Sequence, residues 1–132
     1  MASVILNSAI DHVVRGAIDF ENDVFSVMLC TSDYRAKKEH ASRSDVTGEV
    51  IGDGYDAGGA HVNVTVLRDT KNNSINVLLG AASWSYATIK ARYGVYYRER
   101  DGQLIAVIDF EKDVVSTDGT FSLSASTLRF QN

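Results

Sequence analysis

No proline occurs anywhere in this 132-residue chain, so its turns must be made by glycine, asparagine and aspartate. A single cysteine, Cys30, has no partner for an internal disulfide, and its place in the apolar run FSVMLC reads as a small buried hydrophobe rather than a reactive thiol. Long hydrophobic runs are missing too: none approaches the roughly 20 residues of a membrane-spanning helix. Nor does the chain open with a charged segment leading into a long apolar core, so the expectation is a soluble protein made in the cytosol, with no membrane partner. There is no basic excess. Lysine and arginine number 13 against 17 aspartates and glutamates, with both signs scattered, which leaves no stripe for phosphates and no expectation of direct nucleic-acid binding.

Catalytic signatures are equally scarce. His12, His40 and His61 have neither a carboxylate nor a second histidine at metal-site or triad spacing, and no nucleophile elbow is present. The expectation is a non-enzyme with no catalytic residue, cofactor or metal. Two acidic features keep a sharper alternative open. Asp53 and Asp56 offer oxygens to a calcium ion, although the further ligands of an EF-hand loop are absent. IDFENDV at 18–24 also recurs as IDFEKDV at 108–114, which fits either two similar β-bridge elements or an acidic site built from Asp19, Glu21, Asp109 and Glu111.

What the chain does have is alternation. From Ile89, the residues Ile89, Ala91, Tyr93, Val95 and Tyr97 fall on one face of a strand, and Thr88, Lys90, Arg92, Gly94 and Tyr96 on the other. Asp101-Gly102 marks a hairpin turn, and the return run 104–110 is apolar on both faces, as in a central strand covered on both sides. Phe25, Val27 and Leu29 alternate with Ser26, Met28 and Cys30 in a core strand over 24–31. HVNVTVLRD from His61 alternates with Val62, Val64 and Val66 inward, and a turn at 71–74 leads into a strand over 75–79. Residues 111–120 mix turn signals before a last strand carrying Phe121, Leu123 and Ala125.

Only residues 3–14 show a sustained helical period. Val4, Ile5, Leu6, Ala9, Ile10, Val13 and Val14 form its stripe, Ser3 is the expected N-cap, and Arg15 and Gly16 form the stop. Eight or so short strands after one helix predict a mainly β single domain over 1–132, a β-sandwich of jelly-roll-like type with an N-terminal amphipathic helix at about 3–15.

Two loops stand out. Residues 32–48 are polar, carry no apolar period, and predict a long surface excursion. Residues 52–59 pack four glycines into GDGYDAGG, with no following Lys-Ser/Thr pair and no helix behind them, which fits backbone turns and excludes a phosphate loop. On exposure arguments these loops supply the candidate partner interface: Tyr34, Arg35, Lys37, Lys38, Arg43 and Tyr55, with His40 adding charge when protonated.

Several segments together resemble a family of small tailed-bacteriophage virion proteins. They are the Gly16 to Phe20 bridge after the helix, VFSVMLCTSDY, GDGYDAGGA, the Trp84-Ser85 to Ala91-Arg92-Tyr93 element, and LIAVIDF. The resemblance implies a virion structural protein, capsid decoration or cement being the leading role. Its partners would be the major capsid protein or other virion subunits and further copies of itself. A tail-associated receptor or carbohydrate binder is the alternative, with Tyr34, Tyr55, Tyr86 or Tyr96 as stacking faces. The pattern carries no functional residue to transfer.

Overall fold

The computed structural model of the chain describes residues 2–131. Among these residues eight strands, β1 (Ala2–Ile5), β2 (Phe25–Cys30), β3 (Ala60–Val62), β4 (Val64–Asp69), β5 (Ser74–Leu79), β6 (Ala82–Arg98), β7 (Leu104–Leu123) and β8 (Ser126–Gln131), accompany one α-helix, α1 (Asn7–Val14). They build two antiparallel sheets, in the orders β1-β7-β6-β2-β3 and β4-β5-β8, so the protein is mainly β and arranged as a sandwich, as its alternation predicts.

The large sheet is apolar on both faces because each strand at its centre feeds two cores. Toward the small sheet, Phe25, Val27 and Leu29 of β2, Tyr96 of β6 and Ile108 of β7 pack with Val77 and Leu79 of β5 and Leu128 of β8, and Ala9 of α1 joins this cluster. On the opposite face Met28, Cys30, Val95, Tyr97, Leu104 and Val107 form a second cluster with Leu6 and Tyr34. All six residues of β2 are buried for this reason.

The β6–β7 hairpin is longer than its alternation suggests. β6 begins at Ala82, and β7 runs through the residues read as turns at 111–120, with Glu111 (φ 66°) and Asp118 (φ 47°) absorbing the irregularities. At Arg92 the ladder breaks: Ala91 pairs with Val114 but Tyr93 with Asp109, so four residues of β7 stand opposite one of β6. The expected single face from Ile89 to Tyr97 is therefore split. Ile89 and Ala91 join the core between the sheets, whereas Val95 and Tyr97, with Tyr93 packed against them, belong to the opposite one. Arg92 clasps the break, its Nε donating to Asp109 Oδ1 at 2.7 Å, and the Asp109 carboxylate also accepts from the Glu111 N–H at 2.7 Å. In the hairpin turn Gly102 takes the positive φ (75°), and the Gly102 N–H donates to the Arg98 carbonyl.

Three further expectations are corrected. The helix starts at Asn7 rather than Ser3, because Ser3 to Ile5 pair with β7 as an edge strand; Leu6 then occupies the N-cap with no side-chain cap. The C-terminal stop is as expected. Gly16 (φ 76°) donates to the Val13 carbonyl and Ala17 to that of His12, a Schellman end. HVNVTVLRD is two strands, since the chain leaves the large sheet after Val62 and enters the small one at Val64. The last strand likewise lies apart from Phe121 and Leu123: these end β7, and β8 pairs with β5 in the other sheet.

Candidate functional site

Residues 31–50 are not a free excursion. They form a strap across the face of the large sheet that the small sheet leaves open. Backbone bonds pin it along its length: Thr31 N to Gly48 O, Asn7 N to Lys38 O, Leu104 N to Ala41 O, Arg43 N to Gly102 O, and Val50 N to Leu29 O. A capping box closes a single 3-10 turn at Arg43–Asp45, where the Asp45 carboxylate accepts from the N–H groups of Ala41 (2.9 Å) and Ser42 (3.1 Å). Those donors hold the Asp45 carboxyl below its ordinary pKa.

The anchor of the strap is Tyr34, 1% exposed. Its ring meets Tyr93 edge-on at 5.5 Å and stacks on His40 at 5.7 Å, and its hydroxyl shares a hydrogen bond of 3.0 Å with His40 Nδ1. Burial, with smaller contributions from Cys30, Asp45 and Tyr93, pushes the Tyr34 hydroxyl up to about 12. The expected interface residues thus separate. Arg35, Lys37 and Lys38 project from the strap into solvent, whereas Tyr34 and Tyr55 are buried and offer no contact face. Arg43 is exposed yet engaged, its guanidinium 5.0 Å from the Tyr97 ring and 3.9 Å from Glu49. Of the other tyrosines considered as stacking faces, Tyr96 is buried and Tyr86 is 82% exposed.

Between the strap and the β1 edge runs a groove of 200 Å³ whose floor is Val4, Leu6, Tyr93 and Val107 and whose rim includes Lys37, Lys38 and Asp109. Asp109 is already paired with Arg92, so the two lysines set the charge of the rim.

Two residues that hold this surface in place are not visible in the alternation. Glu49 accepts from the Tyr55 hydroxyl (2.6 Å) and the Gly58 N–H (2.7 Å), while Tyr55 in turn accepts from the Leu29 N–H at 3.0 Å, tying the glycine-rich loop to β2. Arg98 is 4% exposed, and its guanidinium donates to the Ala17 carbonyl (2.7 Å), Asp23 (3.0 Å) and Asp101 (2.8 Å). Arg98 holds the Asp101 carboxyl down at about 2. The charge run RERD was the one available signal for this cluster. Nothing in it marked Arg98 as the buried member.

The acidic alternatives are not assembled. Asp19 accepts from the N–H groups of Glu21 and Asn22 and from Asn22 Nδ2, and Asp109 from Arg92 and the Glu111 N–H. The repeated Asp-Phe-Glu thus shares an aspartate accepting the N–H two residues on. Among the described residues no group of three or more histidine, cysteine, aspartate or glutamate side chains is placed to hold a metal ion, and no helix is long and apolar enough to cross a membrane. Cys30 lies buried in β2, and that burial, with the Glu49 charge, raises its thiol to about 12.

Compared with known proteins, the chain gives no significant match to a family model, a curated protein or a solved structure.

Proposed function

We propose that this chain is a non-enzymatic structural protein of a tailed-phage virion, decorating or cementing the capsid by contacts to shell subunits and to further copies of itself. The observation that carries the reading is the pinned strap: Arg35, Lys37 and Lys38 project from a segment fixed by backbone bonds at both ends and in its middle, with a buried aromatic beneath. With its backbone already ordered, this cationic surface has only side-chain freedom left to lose on binding, and several modest contacts acting together give a hold that no single one supplies. Support also comes from the resemblance, whose segments fall on β2, the β6–β7 hairpin and the loop that Glu49 ties down. In this reading the partner presents an acidic face, the protein resides in the virion, and neither nucleic acid nor membrane is contacted.

Purified heads stripped of the protein test this directly. Replacing Arg35, Lys37 and Lys38 with serine should leave the circular dichroism spectrum unchanged, lower head occupancy, and flatten its dependence on salt. Full decoration by the triple variant at equal salt would remove the strap from the interface. Tyr86 favours the tail-associated carbohydrate reading as the exposed member of the four tyrosines considered for stacking. Copy number in intact particles separates the two readings: a head protein is present in hundreds of copies, a tail tip in few.

A further inference from the structure

We propose that the groove between the strap and the β1 edge seats one aliphatic side chain from an acidic segment of a partner protein, with Lys37 and Lys38 taking the carboxylates beside it. That the occupant is a protein segment rests on the function proposed above. Size narrows the choice first. At 200 Å³ the groove falls below the roughly 300–1,000 Å³ of sites that enclose a whole small molecule, and it suits a single anchoring side chain. Its floor is apolar, with Val4 and Val107 direct cross-strand partners and the Tyr93 ring braced edge-on by Tyr34 at 5.5 Å. Both walls are fixed through the backbone. On the strap side the Asn7 N–H donates to the Lys38 carbonyl at 2.9 Å, and at the end of β1 the Leu6 N–H donates to the Ile105 carbonyl at 3.2 Å. A side chain entering between walls already ordered gains the burial of its apolar surface without the cost of ordering the site.

Charge selects what flanks the anchor. Lys37 and Lys38 are exposed and have no carboxylate partner among the described residues. Asp109, the carboxylate on the rim, is held by Arg92 at 2.7 Å and accepts from the Glu111 N–H, while the Arg92 guanidinium also lies 5.7 Å from the Tyr93 ring. Glu39 follows on the strap but does not line the groove. The rim is therefore net positive around an apolar floor, and aspartate or glutamate on either side of an aliphatic residue complements both parts at once.

Methyl-resolved NMR of the full chain, titrated with the peptide acetyl-Asp-Glu-Leu-Glu-Asp-amide, tests the proposal. The Leu6 and Val107 methyls should shift and saturate. Serine in place of the peptide's leucine should weaken binding about tenfold to a hundredfold, the factor that burying one leucine supplies. The basic peptide acetyl-Lys-Lys-Leu-Lys-Lys-amide should leave the methyls where they are. Lys37→Ser with Lys38→Ser should weaken the acidic peptide roughly threefold to tenfold. Val4→Glu, which puts a carboxylate in the floor, should abolish its binding, with circular dichroism confirming that each variant is folded. If Val4→Glu does not fold, the serine pair carries the test, since both lysines are exposed. No saturable shift at any peptide concentration overturns the proposal. So does equal binding of the serine or the lysine-flanked peptide, or the same methyl shifts on concentrating the protein alone, which would seat a second copy in the groove. The groove and the virion reading fail separately. Reduced head occupancy in the Arg35, Lys37 and Lys38 variant without leucine-dependent peptide binding sinks the groove alone. Leucine-dependent binding in a protein whose triple variant still decorates heads fully upholds the groove and removes the capsid as its partner.

Discussion

Removing the Tyr34 ring tests whether the strap is part of the cooperative core. The side chain is 1% exposed and packs against Tyr93 and His40. A buried aromatic removes about 150–250 Å² from water, which at ~25 cal/mol per Å² is an upper value of about 4–6 kcal/mol. Because the strap can partly collapse onto the vacated site, Tyr34→Ala should cost about 3–5 kcal/mol. For a domain of this size that lowers Tm by roughly 10–20 °C. Tyr34→Phe keeps the ring and loses only the hydrogen bond to His40, a change of about 0.5–1.5 kcal/mol. Urea unfolding followed by tryptophan fluorescence measures both, with Trp84 buried in the core between the sheets as the reporter. The ordering of the two variants matters as much as the size. If Tyr34→Ala falls within about 1 kcal/mol of the parent with an unchanged m-value, the strap unfolds independently and the second cluster is not a core.

Ile108→Ala, at 2% exposure between the sheets, should cost about 2–5 kcal/mol, whereas Lys38→Ala should stay within about 0.5 kcal/mol of neutral; equal denaturation midpoints would contradict the burial pattern. Gly59→Ala should be severely destabilising, because Gly59 has φ 78° and an added Cβ would run into the Val27 carbonyl of β2; a variant melting with the parent would refute that close approach. Asp101 titrates at about 2 in the folded state, below the roughly 3.9 of an unfolded aspartate. Its contribution is therefore complete above pH 4 and lost as the pH falls toward 2, so Asp101→Asn should flatten stability against pH in that window; an unchanged slope would show that the Arg98 pairing is not its source. Cys30, its thiol raised to about 12, should resist a disulfide reagent at pH 8 until the protein unfolds, and prompt labelling of the native chain would contradict its burial.

The strands at the centre of the large sheet were legible because burial on both faces leaves short apolar runs, FSVMLC in β2 and LIAVI in β7, bounded by turn signals. The helix boundary was not: Val4 and Ile5 extend a helical stripe as naturally as they extend an edge strand, and pairing with β7 decides between them. The break at Arg92 left no mark, since a bulge changes which face a residue takes without changing the composition on either side. Turn residues misled at 111–120, where Asp118 and Gly119 bend the ladder without ending it. For the candidate site, the exposed cations were legible from polarity, but the anchoring was not. A strap held by backbone bonds and one aromatic has no periodicity, and Tyr34 and Tyr55 differ from exposed tyrosines only in what the fold places over them.

The skipped pairing at Arg92 gives the hairpin two gears that turn separately. In an uninterrupted ladder, inserting or deleting one residue sends every later side chain to the opposite face. Here four residues of β7 already bridge the span of one in β6, and the mismatch stops at the Arg92–Asp109 clasp. The outer arm, Ala82 to Ala91 with Val114 to Leu123, is buried on one side only and answers to a single core. The inner arm, Tyr93 to Arg98 with Leu104 to Asp109, answers to two and has no latitude. A slip of register in the outer arm would turn its one buried face, Trp84, Ile89 and Phe121 included, out of the core, but it would stop at the clasp and leave the part that locks sheet, strap and helix together in register.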